Sequence, residues 1–262
     1  GARIGAEGVQ VNAVVDRKDV AVDRSSQGRA TLPVWLRARD SGLLGTLLDG
    51  LFPPHCVACG RPGEWFCAAC ISSIPGRGRL SLVPRIRNRT DALAGALTLA
   101  PHTYPLREAV HALKYGGVRV LADPLSALLV DGWRAQPRTV DVVVPVPLHR
   151  AQLRRRGYNQ AELLARGFCA GMGLDVCPSV LHRWRATRSQ VGLSPEERLD
   201  NVSGAFICSE EVLLGASVLL IDDVLTTGAT MSACAQALRD AGAEVVWGMA
   251  LTHPPGPVVV TP

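Results

Sequence analysis

Val218–Met231 reads VLLIDDVLTTGATM: four apolar residues in a row, two acids, and a Thr/Gly turn that opens a helical apolar period. The apolar run does not alternate, which suits a strand covered on both faces of a parallel sheet. Ligands of open α/β sheets bind outside the carboxyl ends of the strands, and that is where Asp222 and Asp223 fall. The turn that follows, Thr226, Thr227, Gly228, Ala229 and Thr230, can bring backbone N–H groups to a phosphate at the start of the next helix, with three hydroxyl donors added. The acids would repel that phosphate. They suit vicinal ribose hydroxyls, which donate two hydrogen bonds to a carboxylate, and a Mg²⁺ ion held directly or through water. A Walker-type loop is the less plausible reading because its lysine is missing.

Outward from this stretch, strands and helices alternate. The pattern predicts strands at 93–100, 140–144, 174–177, 217–221 and 245–251, and helices at 106–115, 121–130, 160–170 and 229–240. The fold class is therefore α/β, a mostly parallel sheet flanked by helices. After the strand at 140–144 comes PVPLHR, then RRRGYNQ at 154–160. This places bases, Arg150 and Arg156 among them, in a loop that can hold a pyrophosphate, although any single arginine is also explained as part of a solvated face. Lys114 either reaches the same group or is an ordinary surface lysine. The polar stretch at 187–193, with Arg198, Asn201 and Ala205–Phe206, is long enough to form a water-excluding lid. Arg188, Gln190 and Arg198 are its candidate contacts.

Of eight cysteines, four form the two pairs Cys56-x-x-Cys59 and Cys67-x-x-Cys70. Two such knuckles present four soft thiolates as tetrahedral Zn²⁺ requires, and a filled shell is structural rather than catalytic; two disulfides or a redox CxxC are the alternative reading. His55 beside the first ligand reads as a bystander. Cys169, Cys177, Cys208 and Cys234 are scattered and read as buried free thiols.

The net charge of +5 is modest and spread along the chain, so charge alone does not indicate nucleic acid. No apolar run approaches the roughly 18 residues of a membrane span, and no secretory signal is visible, which makes the cytoplasm the default location. Residues 1–42 lack a sustained apolar period and read as a disordered extension. Leu43, Leu44, Leu47, Leu48 and Leu51 begin a helix that leads into the zinc ribbon, together 43–80. The α/β domain takes 81–253, and 254–262 is a tail.

The acid pair with its Thr/Gly turn resembles the 5-phosphoribosyl pyrophosphate motif of type I phosphoribosyltransferases. Taken with the paired CxxC ribbon, HALKYG at 111–116, the PVPLHR and RRRGYNQ segments and TRSQVGL at 187–193, the chain is similar to the ComF family from about Leu47 to Thr252. The resemblance implies binding of phosphoribosyl pyrophosphate and Mg²⁺, with transfer of phosphoribose to an unidentified base or related acceptor. It also implies a link to competence and DNA uptake. A second reading is a non-catalytic protein that handles single-stranded DNA, senses a ligand or meets competence proteins. Members of that family carry a double zinc ribbon, whereas one four-cysteine set here supports one zinc, and residues 1–42 have no counterpart.

Overall fold

The computed structural model of the chain describes residues 53–83, 92–185, 204–208 and 213–256. The extension at 1–42, the helix at 43–51, the lid residues Arg188, Gln190 and Arg198, and the end of the tail lie outside them. In chain order the elements are α1 (Ala68–Ser72), β1 (Ser81–Val83), β2 (Gly95–Pro101), α2 (Leu106–Tyr115), α3 (Ala122–Ala135), β3 (Val142–Pro145), α4 (Arg150–Arg156) and α5 (Gln160–Met172). There follow β4 (Leu181–Arg183), β5 (Phe206–Cys208), β6 (Ser217–Val224), α6 (Ala229–Asp240) and β7 (Val245–His253).

The main sheet has the order β1-β2-β7-β6-β3, with β2, β7, β6 and β3 parallel and β1 antiparallel at the edge. The unalternating run of β6 is divided between two cores. Leu219 and Ile221 pack with buried residues of α2, α3 and α5, including Val110, Leu129 and Phe168. Val218 and Leu220 pack on the other side with Met231, Cys234 and Leu238 of α6. The acids follow this apolar run towards the carboxyl end of the strand, where Asp222 still pairs with Ala250 of β7.

Several segments differ from the sequence pattern, three of them in kind. The strand at 174–177 is reduced to one bridge, Val143 to Val176, because Pro145 has no N–H to donate to the Cys177 carbonyl at the next rung. Arg150–Arg156 is a short helix rather than a loop, begun by His149, whose Nδ1 accepts from the Ala151 N–H, and ended by left-handed Gly157. Phe206 belongs to a strand that pairs antiparallel with β4, not to the lid.

The cysteine ribbon is not a separate bead. Cys56, Phe66, Cys67, Cys70 and Ile74 are buried in the same cluster as Leu97, Leu106 and Trp133 of the α/β domain.

Candidate functional site

Asp222 and Asp223, near the end of β6, line an open cavity of about 250 Å³ together with Lys114, Arg156, Thr226, Gly228 and Thr230. The turn works because Gly228 is left-handed, φ 78°, and caps α6, so that the helix begins facing the cavity. The Thr227 hydroxyl accepts from the Ala229 N–H at 3.4 Å and braces the turn. Among the predicted phosphate residues, Thr226, Gly228 and Thr230 line the cavity, while Thr227 and Ala229 support it from behind.

The acids are unlike each other. Asp223 is buried and ion-paired with Lys114, Nζ to Oδ2 2.7 Å, and accepts from Gln160 Nε2 at 3.5 Å. Burial, the largest single influence, would raise its carboxyl, but the Lys114 ammonium and the hydrogen bonds from Asp222, Lys114 and Gln160 together outweigh it and hold Asp223 below the usual carboxylate range. Lys114 is held above its ordinary value, since burial is overcome by the charges of Asp223 and Asp222. Asp222 is half-buried and accepts the Asp223 N–H at 2.8 Å. Burial first, and the adjacent Asp223 charge second, push it well above the usual range. Lys114 is thus no surface lysine.

The signs follow. Asp223 with a lowered value stabilises the fold fully above its unfolded pKa and loses this as pH falls. Lys114 with a raised value does so below its own and loses this as pH rises. The pair therefore contributes fully from about pH 4 to about pH 10.5. Asp222, with its raised value, works against folding above about pH 4, where the unfolded chain ionises it more readily than the folded one. At pH 7, Asp222→Asn should raise the thermal midpoint, since the amide oxygen can still accept the Asp223 N–H; about 2–4 °C corresponds to each ~1 kcal/mol. Asp223→Asn should lower it, because Lys114 is left buried without a counter-charge. Differential scanning calorimetry of both variants checks this, and shifts of the same sign would contradict it.

The two predicted arginines part company. Arg156 lines the cavity, where its guanidinium lies 5.3 Å from the Tyr115 ring centroid and donates to Gln160 Oε1. Arg150 does not line it, and turns to a neighbouring cavity. Gln160 and Arg183 line the acid-pair cavity without having been singled out by sequence. Gln160 stood inside RRRGYNQ, but only its contact with Asp223 reveals a role.

The four Sγ atoms of Cys56, Cys59, Cys67 and Cys70 lie within 4.8 Å of one another. Cys56 to Cys70 is 3.8 Å and Cys59 to Cys67 is 3.7 Å. A tetrahedron with metal–sulfur bonds of about 2.3 Å has edges of about 3.8 Å, so the donor set fits Zn²⁺. Burial opposes a thiolate at Cys56, but backbone N–H groups led by that of Cys67 outweigh it and bring the thiol down to about 6. Burial and the neighbouring sulfurs push Cys70 up to about 12.

Residues 129–254 match the phosphoribosyl transferase domain family. Competence protein F of Haemophilus influenzae is 27% identical over 75% of this chain and 84% of its own length. DNA utilization protein YhgH of Escherichia coli K12 is 31% identical over 73% of this chain and 80% of its own, and that of Salmonella typhimurium is 30% identical over 74% and 94%. Among solved structures, that of the allosteric regulatory enzyme of purine biosynthesis is similar over 49% of this chain and 26% of that one, with 21% identity and a TM-score of 0.35. Among the described residues no helix is long and apolar enough to cross a membrane.

Proposed function

The chain belongs to the ComF family, and from that premise we propose that it binds 5-phosphoribosyl pyrophosphate with Mg²⁺ and transfers phosphoribose to a base or related acceptor, in the service of competence and DNA uptake. The juxtaposition of ionised Asp223, half-buried Asp222 and left-handed Gly228 around one cavity favours this function over others. Gly228 and Thr230 open the start of α6 to the 5-phosphate, and the acids accept from the ribose hydroxyls. Arg156 is the group best placed to take charge on the departing pyrophosphate. Asp222 and Asp223 supply the oxygen donors that Mg²⁺ prefers, and Mg²⁺ would neutralise pyrophosphate charge when bound. Lys114 keeps Asp223 ionised and fixed before a ligand arrives. Exclusion of water falls to the lid proposed for Arg188, Gln190 and Arg198.

Calorimetric titration tests this. Asp222→Asn and Asp223→Asn each place amide donors where hydroxyl protons should point. Each should weaken Mg²⁺-dependent binding of phosphoribosyl pyrophosphate by roughly ten- to a hundredfold, the scale of one hydrogen bond to a charged group. Wild-type affinity in both variants would reject the site. Pyrophosphate release that depends on an added nucleobase would identify a transferase. Salt-sensitive binding of single-stranded DNA without release would identify a binding protein instead.

A further inference from the structure

Beside the acid-pair cavity, across Pro147, Leu148 and Arg183, which line both, lies a second cavity of about 520 Å³. That size falls within the roughly 300–1,000 Å³ of small-molecule sites. Three large apolar side chains left exposed converge on it from separate elements: Leu153 of α4, Trp184 just after β4, and Ile207 of β5. Trp184 is 61% exposed yet fixed. Its Nε1–H donates to the Gly204 carbonyl at 2.8 Å and its backbone N–H to the Ala205 carbonyl at 3.1 Å. An indole anchored through its polar edge offers a flat face whose ordering cost is already met.

The polar groups of this cavity divide into occupied and open. Asn159 donates to the Val146 carbonyl and accepts from the Ala161 N–H, Glu162 is paired with Arg166 at 2.7 Å, and the Arg183 guanidinium lies over the Phe206 ring, 5.5 Å from its centroid. The side chains of Arg150 and His182 have no such partner among the described residues. An anchored aromatic face, two aliphatic walls and an open guanidinium fit a flat heteroaromatic ring that carries an anion.

We propose that this cavity is a second ligand site that takes a nucleoside monophosphate, with the base on Trp184 between Leu153 and Ile207 and the phosphate on Arg150. The site itself does not depend on the phosphoribosyl pyrophosphate reading, but its role does. Displacement at ribose C1 brings the nucleophile in opposite the departing pyrophosphate, which that reading assigns to the Arg156 side. A ligand beyond Pro147 and Leu148 is on the leaving-group side and acts as an effector, not as the acceptor.

The test uses the full chain and titration calorimetry with adenosine 5′-monophosphate and with adenosine. It is run in wild type and in Gly228→Val, which strains the left-handed turn of the acid-pair cavity. Binding of the monophosphate should persist in Gly228→Val and fall about ten- to a hundredfold when Trp184→Ala is added, the scale of one lost base–aromatic stack. Arg150→Gln should bring the monophosphate down to the affinity of adenosine and leave adenosine unchanged. Leu153→Glu, at an exposed helix position where folding is not at stake, should weaken the monophosphate by setting a like charge beside it. Absence of binding in Gly228→Val at millimolar monophosphate, or binding there that ignores Trp184→Ala and Leu153→Glu alike, overturns the proposal. Phosphoribosyl pyrophosphate titrated into Trp184→Ala should bind as it does to wild type. Its failure to bind wild type itself would sink the function proposed above and leave this site standing.

Discussion

Gly228→Val should abolish measurable binding of phosphoribosyl pyrophosphate, a loss beyond a hundredfold, while the protein stays folded. At φ 78° a β-branched residue is strained, and the strain falls on the residue that aims the first N–H groups of α6 into the cavity. The strain costs about 1–3 kcal/mol, less than the roughly 5–15 kcal/mol that holds a domain together, so circular dichroism should be unchanged. Relief of the strain, however, must rotate the turn. Ribose 5-phosphate should be lost as well, because the variant acts at the 5-phosphate end. By contrast, Asp222→Asn and Asp223→Asn only weaken contacts with the ribose. Gly173→Val is the control. It imposes a left-handed strain of the same kind, φ 69°, at the end of α5, with nothing within 4 Å of an added Cβ. It should lower stability and leave affinity alone. Wild-type affinity in Gly228→Val would show that the phosphate does not sit on this turn.

How much of this could be read from the sequence depends on how local each signal was. The helices at 106–115 and 229–240 were legible to the residue, because their apolar periods are long and their ends are marked by Gly116 and Gly228. β6 was legible in its apolar part but continues through the acids to Val224, because Asp222 and Val224 still pair with Ala250 and Thr252 of β7. α4 was not legible. It buries no residue and has no apolar face for a period to show, so its arginines looked like a loop. The pairing of β4 with β5 involves only three residues on each side and joins distant segments. The Lys114–Asp223 pair is the clearest case of a site residue without a local signal. HALKYG gives no reason to expect an anionic partner, and only the approach of the last turn of α2 to the end of β6 supplies it.

The contact between the cysteine ribbon and the α/β domain changes what loss of the metal should do. Read as a separate module, the ribbon could unfold and leave the rest intact. Instead Phe66, Cys67, Cys70 and Ile74 share a core with Leu97, Leu106 and Trp133, and Cys70 Sγ lies 3.8 Å from the Tyr104 hydroxyl, just ahead of α2. Cys59 is the informative ligand to replace, because it alone of the four is exposed, so that Cys59→Ser opens no cavity and any loss of stability reports the missing metal bond. The variant should fall from close to one zinc per chain to almost none by metal analysis. Its melt should remain a single transition, displaced downward by roughly 10 °C or more. A loss of about 4 kcal/mol suffices for that shift, well under the ~10–16 kcal/mol with which structural zinc folds finger peptides. Because α2 carries Lys114 at its far end, affinity for phosphoribosyl pyrophosphate should fall in the same variant at temperatures below the melt. A small early transition followed by an unshifted main one would mean that the ribbon folds alone. Unchanged zinc content would mean that Cys59 is not a ligand.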